Sequence, residues 1–536
     1  MKKMISVLLA LTLTVGMLSG CASGGGSSEK KDGGKSSKDT EVKEKVVTFN
    51  IGQEPTTLDP SLNSGGDGSV VLNHLYEGLM VEEDYQFVCA GAESYDVSDD
   101  GMVYTFHLRD NKWSDGEPVR AQDYEFGWKR ALDPEVASPY SWIFESGSVE
   151  SFKAVDDKTF EVKLSANNPV FLLLLAGSTF FPLREDKIDY LNGAWALKPE
   201  DTVYNGAFKM TEYKAGDRLI MEKNEYFHDA DNIKLDKIVA TMIVDQSTAL
   251  TAYESGDLDA INGVPPAEIP RLINEDPNLI ISPLNGTGYY AVNIHKAPLD
   301  NIKVRQALTL AINREVICKD VLKDGSEPAS SLIPSVLLDS DGNVFNQVAG
   351  DHGIPLDDSK ADEAKQLLAE AGYPDGAGFP KIELLYNTNE TNKAVAEAIQ
   401  QQWKQNLNID VALVNMESAV FNQTRVEHDF DICRGGWGGD YEDPLTHLEL
   451  CQTENETNYA GYSDPEYDRL INEAKESTGK ERFDKFYEAE KLMMASYSYI
   501  PVYYSVARNL VNQDRVKDFY ITAGGLYRFT YADVVE

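Results

Sequence analysis

The sequence is poor in positive charge. Its 536 residues contain 49 Lys and Arg against 88 Asp and Glu, which gives a formal net charge of −39 at pH 7. An electric field of that sign repels phosphate backbones, so we expect no nucleic-acid partner. The acidic balance favours solubility but does not identify a function.

The residue patterns of common enzymes and metal sites are also missing. The five cysteines include no CxxC pair, and the seven histidines include no HExxH motif. There is no GxSxG elbow and no P-loop, which leaves a secreted peptidase only as a remote alternative. We therefore expect no enzyme, no catalytic residue, no metal and no cofactor. The sequence leaves open which of Cys89, Cys318, Cys433 and Cys451, if any, pair with one another.

The N-terminus has the order of a secretory signal. Lys2 and Lys3 precede an apolar run that is too short to span a bilayer, and Leu-Ser-Gly-Cys follows, ending at Cys21. We expect export, with residues 1–20 as the signal peptide. The cleavage region resembles the lipobox of bacterial lipoproteins, in which the cysteine is lipidated and becomes the new N-terminus. Ordinary cleavage near Ala22 or Ser23 is the alternative.

Residues 21–45 predict a flexible tether. After Cys21 they are mainly Gly, Ser, Lys, Asp and Glu, with hardly an apolar side chain. Acyl chains on Cys21 would hold the protein at the extracellular face of the cell membrane.

The remaining chain is long enough for two or three domains, and 42% of all residues are hydrophobic. Before about residue 290 the pattern favours strands, for example at 46–51, at 159–164 and in a hairpin within 93–118, with a helix at 121–132. A crossing into a new domain is expected near residues 286–298.

From residue 302 onward, predicted helices and strands alternate. This order is typical of an α/β lobe with a largely parallel sheet, in which ligands bind at the carboxyl ends of strands. The predicted elements are helices 302–319 and 361–371, strand 382–386, helix 392–407, strands 409–414 and 430–434, helices 465–476 and 481–496, and strand 500–504.

Residues 430–444 have the composition of a binding crevice. Four glycines surround Trp437, with Arg434 three residues before it and Asp440 three residues after it. The glycines let other backbone segments approach closely. The alternative is a core tryptophan beside solvated loop charges, with glycines that only mark turns. The local pattern leaves both interpretations open.

Segments along nearly the whole mature chain resemble the extracellular solute-binding proteins of family 5, and within it the oligopeptide-binding branch of ABC peptide importers. The resembling segments are residues 54–60, 104–134, 204–208, 304–315 and the region of Trp437. The resemblance implies an α/β, periplasmic-binding-protein-like fold of class II, cluster C type. That fold has two lobes, a hinge and an extra subdomain in the first lobe.

The resemblance also implies domain bounds. The core of the first lobe would comprise residues 46–66, 200–290 and 505–536. The extra subdomain would comprise residues 67–199, and the second lobe residues 291–504.

Ligand contacts follow from the same resemblance. Trp437, Asp440 and Tyr441 match a Trp-x-x-Asp-Tyr motif whose aspartate takes the α-ammonium group of a peptide. Such an amine has a pKa of about 7.7–8.0, so it is mostly charged at neutral pH and needs an opposite charge when enclosed. Arg434 and Arg425 match positions at which the family meets peptide carboxylates, a task that suits guanidinium groups.

Four further residues are matched to the ligand site. Glu54 and Thr56 fall where the first strand of the family lines the ligand, and Tyr289 and Tyr290 match an aromatic pair at the lobe crossing. A solvated turn carboxylate and core tyrosines are the alternatives. The chain departs from enterobacterial members at Gly438, where a cysteine is expected, so their disulfide is absent here.

The resemblance implies a lipid-anchored, monomeric binding protein. It would capture oligopeptides in a closing cleft between the lobes and deliver them to the permease subunits of an ABC transporter. Main-chain hydrogen bonds and roomy, wet side-chain pockets would give it broad specificity. Alternatives on the same scaffold are a dipeptide, a peptide pheromone, a nickel chelate or an oligosaccharide as ligand. An adhesion or structural lipoprotein is a third class.

Overall fold

The computed structural model describes residues 43–83 and 86–535. From Glu44 onward they belong to one compact unit. The predicted signal peptide, Cys21 and most of the predicted tether lie outside the described residues. Within the described part, no helix combines the length and the apolar character needed to cross a membrane.

The strands are, in chain order, β1 (Val46–Asn50), β2 (Met80–Glu83), β3 (Gln86–Cys89), β4 (Ala92–Val97), β5 (Val103–Leu108), β6 (Val149–Ala154), β7 (Thr159–Leu164), β8 (Phe208–Lys214), β9 (Arg218–Lys223), β10 (Lys237–Thr241), β11 (Ala260–Asn262), β12 (Leu279–Val292), β13 (Glu327–Pro328), β14 (Ile382–Asn387), β15 (Val411–Met416), β16 (Ile432–Gly438), β17 (Tyr499–Val511), β18 (Val516–Lys517), β19 (Tyr520–Ile521), β20 (Tyr527–Arg528) and β21 (Asp533–Val534).

The α-helices are α1 (Gly66–Leu75), α2 (Ala121–Leu132), α3 (Ile143–Ser146), α4 (Phe171–Leu174), α5 (Gln246–Glu254), α6 (Ile269–Glu275), α7 (Ile302–Leu310), α8 (Arg314–Val316), α9 (Phe345–Ala349), α10 (Ala361–Glu370), α11 (Glu390–Leu407), α12 (Ser418–Val426), α13 (Leu445–Leu448), α14 (Pro465–Glu476) and α15 (Gly479–Ala495).

One large sheet runs through the protein in the order β15-β14-β16-β12-β17-β11-β1-β10-β9-β8, and β13 pairs with β17. The two long antiparallel strands at its middle, β12 and β17, take part in both halves. Residues 279–283 pair with 506–510, and residues 287–291 pair with 499–504, with a break in register between the two stretches. The chain therefore crosses from one half to the other at residues 284–286 and again near residue 505.

The two halves have separate hydrophobic cores. Residues 47–272 and 510–534 supply the cores of the first half. Residues 289–502 supply two cores in the second half, one on each face of its sheet. Tyr289 belongs to one of these cores and Tyr290 to the other, because successive side chains of a strand point to opposite faces. A separate four-stranded antiparallel sheet, β4-β5-β7-β6, lies within the first half.

Several predicted elements are confirmed. Helices α2 and α14 and strand β7 have the predicted bounds. The sheet of the second half is less parallel than expected: β15, β14 and β16 run parallel, whereas β16, β12 and β17 pair antiparallel. Strand β16 continues past residue 434 to Gly438, so Trp437 lies inside the strand rather than after it.

The single helix predicted at 302–319 is wrong in part. Helix α7 ends at Leu310, helix α8 begins at Arg314, and a π-helical turn, Ile317–Leu322, follows. The Asn313 side chain accepts a hydrogen bond from the Val316 amide at 2.9 Å, which starts a new helix. The buried Arg314 guanidinium donates to carbonyl oxygens of Ile312 at 3.1 Å and Pro355 at 3.0 Å. The first bond satisfies a carbonyl group that the break leaves open, and the second ties the break to the segment at Pro355.

A buried ion pair joins α2 to the segment after β1. Arg130 donates to both carboxylate oxygens of Asp59 at 2.7 Å, and its Nε donates to the Tyr190 carbonyl oxygen at 2.8 Å. Both charged side chains have no exposed surface. This pair links α2 to the segment after β1 at a place that solvent does not reach.

We expect Arg130→Met to lower the free energy of unfolding by about 3–5 kcal/mol, because it leaves the Asp59 carboxylate buried without a counter-charge. Urea unfolding followed by circular dichroism measures the change. As a control, Lys480→Met removes the exposed pair of Lys480 with Asp484 and should cost less than about 0.5 kcal/mol. Equal losses in the two variants would contradict the expectation.

Candidate functional site

Two neighbouring cavities lie along the loop that follows β16. Cavity A, of about 420 Å³, is lined by residues 439–442 of this loop and, from the first half, by residues that include 63–66, 176–179 and Arg528. Cavity B, of about 410 Å³, is lined by residues 284–288 of β12, by Arg434 and 436–439, and by residues of β17 and the C-terminal segment. Gly439, Glu442 and Gly524 line both cavities. The cavities therefore adjoin at the crossing between the two halves.

The backbone around Trp437 and Asp440 is held by one threonine. The Trp437 indole Nε1 donates to Thr446 Oγ1 at 3.3 Å, and the Asp440 amide donates to the same oxygen at 3.1 Å. Thr446 is buried in the short helix α13. The aromatic ring and the acidic residue are thus tied to a common point, which fixes their relative positions.

Asp440 offers an unpaired carboxylate to cavity A. The residue is exposed and lines the cavity wall, and no ion pair joins its side chain to any described Lys, Arg or His. Burial of part of the group and then the charge of Glu449 raise the pKa of the Asp440 carboxyl. A cation placed in cavity A would reverse this shift, so the site favours a positively charged ligand group.

Arg434 offers the opposite charge to cavity B. Its guanidinium group is partly buried, and no ion pair within the described part of the chain uses it. In the sheet Arg434 lies opposite Tyr290 of β12. The two cavities therefore carry groups suited to an ammonium and to a carboxylate, respectively.

A model of the bacterial extracellular solute-binding proteins of family 5 matches residues 86–459 of the chain, which is more than half of its length. The chain belongs to this family.

Relatives and solved structures agree over nearly the full length. The dipeptide-binding protein DppE of Bacillus subtilis is 34% identical over 532 residues, covering 96% of this chain and 95% of that protein. The oligopeptide-binding protein OppA of the same organism is 33% identical over 530 residues, covering 94% of each chain. A structure of the periplasmic murein tripeptide-binding protein MppA, in an unliganded open form, superposes with a TM-score of 0.82. It is 29% identical and the match covers 92% of this chain and 98% of that one. The superposition confirms the predicted two-lobe α/β fold.

Other residues matched to the ligand site lie elsewhere in this family 5 protein. Arg425, on α12, stacks on the rings of Phe421 at 4.7 Å and Tyr459 at 4.3 Å from the ring centroids, and it does not line either cavity. Tyr289 and Tyr290 are buried in the two cores of the second half. These three side chains therefore have structural contacts that do not involve a ligand.

Glu54 and Thr56 are exposed and lie outside both cavities. The Glu54 carboxylate accepts a hydrogen bond of 2.5 Å from the Tyr213 hydroxyl. Their assignment to the ligand stays a prediction.

Tyr441 lies between the two halves of the family 5 protein. Its ring packs against cores of the first and of the second half, and its hydroxyl donates to Glu449 Oε1 at 2.8 Å. Two residues further on, Asp443 forms a buried ion pair with Arg482 and accepts a hydrogen bond of 2.9 Å from the Leu445 amide. The loop that carries Asp440 is therefore held at both ends.

The four cysteines within the described residues are free. Burial raises the pKa of the thiols of Cys433 and Cys451 to about 12, so both are protonated at neutral pH. Protonated, buried thiols are poor nucleophiles, which gives these side chains a packing role. The described residues also contain no group of three or more His, Cys, Asp or Glu that could hold a metal ion.

Sequence reasoning missed the residues that support the loop. Thr446 and Asn285 contact it from α13 and β12, and Glu82 reaches cavity A from β2. The only local signal was the Asn285-Gly286-Thr287-Gly288 stretch at the expected crossing, since glycines next to a polar residue indicate close backbone approach. Thr446 is six residues after Asp440, whereas Glu82 is far away in the sequence.

Glu442 is a second acidic residue on the wall of cavity A. Burial, and then the charge of Glu82, raise the pKa of the Glu442 carboxyl to about 8, and a hydrogen bond from Asn285 opposes this shift. The folded protein thus binds a proton at Glu442 that the unfolded chain releases near the ordinary pKa of about 4.5. The contribution of Glu442 to the free energy of unfolding therefore falls as the pH rises from about 4.5 to about 8.

We expect Glu442→Gln to raise the free energy of unfolding relative to the wild type by about 1–3 kcal/mol more at pH 8.5 than at pH 5, because glutamine carries no charge at either pH. Urea unfolding at the two pH values measures the difference. Glu476→Gln, at an exposed position of α14, is the matched control and should change stability equally at both. A Glu442→Gln effect that does not depend on pH would refute the expected protonation.

Proposed function

We propose that this family 5 protein captures peptides with a free N-terminus between its two lobes and delivers them to the permease of an ABC importer. The single observation that carries the proposal is the unpaired Asp440 carboxylate in the wall of cavity A. A peptide's α-ammonium group supplies the missing positive charge. Relatives named for dipeptide, oligopeptide and murein tripeptide binding support a peptide as ligand.

The strand that carries Arg434 and Trp437 has an edge on which an extended ligand fits. Strand β16 pairs with β12 along residues 432–438, but with β14 only through Ile432 and Cys433. The other edge of residues 434–438 therefore has no strand partner among the described residues. An extended peptide added there would bond through its main chain, which is common to all peptides. Such binding leaves the side chains to the cavities and permits broad specificity.

The crossing strands support a closing motion of the lobes. The halves are joined by β12 and β17, whose register breaks between residues 283 and 287. A few residues at such a break are enough to absorb a hinge motion. The likeness to an unliganded open form supports a closing step on ligand binding. The permease would recognise the closed form, and the peptide would leave chemically unchanged.

The lipid anchor is part of the proposal. Lipidation of Cys21, with the tether of residues 21–45, would keep this protein at the extracellular face of the membrane as a monomer. A tether of this length raises the local concentration of the binding protein beside its permease.

The position of Arg434 links ligand length to carboxylate recognition. Arg434 and Asp440 are six residues apart, and a strand rises by about 3.3 Å per residue, so their backbones are separated by at most about 20 Å. A short extended peptide can therefore place its ammonium group at Asp440 and its carboxylate near Arg434. The two ends of a dipeptide are much closer together than this maximum separation, so at full extension its carboxylate would not reach Arg434. Peptide length is therefore the variable to test.

We expect a short peptide with a free N-terminus to bind at least about a hundredfold more tightly than its N-acetylated twin, because only the free amine pairs with Asp440. Asp440→Asn should remove most of this difference, since it keeps the size of the side chain and loses the charge. Isothermal titration calorimetry of ligand-stripped protein measures both affinities. Equal binding of the two peptides by the wild type would refute the proposal and direct attention to sugars, chelates or blocked peptides.

We expect amidation of the C-terminus to weaken binding by about tenfold or more for the peptide length whose carboxylate reaches Arg434, since a charged hydrogen bond is lost. Titration of acid and amide pairs from two to six residues identifies that length. Arg434→Gln should abolish the penalty at that length. Arg425→Gln, which alters a guanidinium group stacked on two rings outside both cavities, is the matched control and should keep it. The same penalty in wild type and Arg434→Gln would reject Arg434 as the carboxylate partner.

A further inference from the structure

Asn285 is a buried polar residue at the crossing between the two halves. Only 6% of its surface is exposed. It lies in β12 between Pro283 and Thr287, where the pairing of β12 with β17 is interrupted. Its polar atoms are directed instead to the loop that carries Asp440.

Hydrogen bonds join Asn285 both to this loop and to α13, the helix that follows it. Its main-chain carbonyl oxygen accepts from the Gly439 amide at 2.6 Å, and its side-chain Nδ2 donates to the Tyr441 carbonyl oxygen at 2.9 Å. Its Oδ1 accepts from His447 Nε2 at 2.7 Å. The first two bonds fix the residues immediately before and after Asp440.

His447 sets the orientation of the Asn285 amide. The imidazole is buried, and burial lowers the pKa of His447 to about 3, so the ring is neutral with a single proton. The Tyr441 carbonyl oxygen can only accept, so Nδ2 must face it and Oδ1 must face the imidazole. The proton of His447 therefore lies on Nε2, so each of these hydrogen bonds has one donor and one acceptor.

Gly439 shows how closely the loop is seated on this amide. A Cβ atom at Gly439 would lie 2.2 Å from Asn285 Nδ2, which is far inside van der Waals contact. The loop backbone can pass there only because residue 439 has no side chain. The contact leaves little freedom for the next residue, Asp440.

We propose that Asn285 is a positioning residue for ammonium recognition: it fixes the backbone on both sides of Asp440 and ties it to the crossing strand. The Asp440 loop then moves as one body with β12 when the lobes close. This inference rests on the proposed role of Asp440 as the partner of the peptide amine. Asn285 also lines cavity B, but the positioning role requires no contact between Asn285 and the ligand.

The chain offers a matched control for Asn285. Asn293, directly after β12, is also buried, with 3% of its surface exposed. Its Nδ2 donates to the carbonyl oxygens of His428 at 3.0 Å and Phe430 at 3.1 Å, on the segment before β16. Truncation of either asparagine removes side-chain hydrogen bonds and leaves their partners unsatisfied, so both variants should lose stability. Only Asn285 touches the loop that carries Asp440.

The test compares Asn285→Ala and Asn293→Ala by calorimetric titration with one short peptide and its N-acetylated twin. Asn285→Ala should weaken binding of the free peptide by about ten- to a hundredfold and leave the acetylated peptide nearly unchanged, because only the amine contact is misplaced. Asn293→Ala should retain the wild-type ratio. Thermal melting of both variants should show similar losses of stability, which separates positioning from folding.

A double variant sharpens the test. If Asn285 acts through Asp440, Asn285→Ala added to Asp440→Asn should cost no further affinity for the free peptide, whereas independent sites would give additive losses. Gly439→Ala alters the same contact from the loop side, because its Cβ atom would collide with the Asn285 amide. If Asn285→Ala does not fold, Gly439→Ala should show the same selective loss of affinity for the free peptide.

The outcomes separate the two proposals. If the wild type distinguishes the two peptides and Asn285→Ala keeps the same ratio, or weakens both peptides equally, positioning by Asn285 is overturned and Asp440 keeps its role. If the wild type does not distinguish them, the proposed ammonium site fails and this inference fails with it. A selective loss in Asn285→Ala together with additive losses in the double variant would also overturn action through Asp440.

Discussion

The antiparallel pair of β12 and β17 is the constraint on which the rest of the structure depends. Each strand has one part in the sheet of the first half and the other part in the sheet of the second. Hydrogen bonds within each part hold that half together, whereas the register break between residues 283 and 287 leaves the connection less firmly paired. The candidate site is located at this break. A ligand there contacts both halves, so its binding energy can favour one relative arrangement of the lobes.

Some acidic side chains of the protein are paired with an arginine, whereas others have no counter-charge among the described residues. Asp59 with Arg130 and Asp443 with Arg482 are buried pairs, each neutralised within the protein. By contrast, Asp440 and Glu442 face cavity A, and the surroundings raise the pKa of both carboxyls. Perturbed carboxyl groups that line a cavity and have no counter-charge are candidates for a functional site. The same physical argument that makes Asp443 structural therefore makes Asp440 a candidate for ligand binding.

The region around Trp437 combines rigid support with open space. Thr446 bonds the indole and the Asp440 amide, and Asn285 bonds the loop on either side of Asp440. The support comes from α13 and β12, and the same loop residues line the two cavities. The proposed ammonium site needs such support, because a misplaced charge loses much of its interaction energy. Side-chain pockets can remain roomy at the same time.

The sequence by itself determined elements with regular periodicity, such as α2, α14 and β7, and the glycines and opposite charges around Trp437 indicated a candidate site. These signals are local, since each is contained in a short window of residues. Only the tertiary structure decided that α7 ends at Leu310, because Arg314 reaches the Pro355 carbonyl oxygen, and that Arg425 stacks on Tyr459. It also decided which residues support Asp440. The bond from Asn285 to Tyr441 joins positions 156 residues apart, and no local pattern encodes a contact that forms only when the two halves of the sheet are assembled.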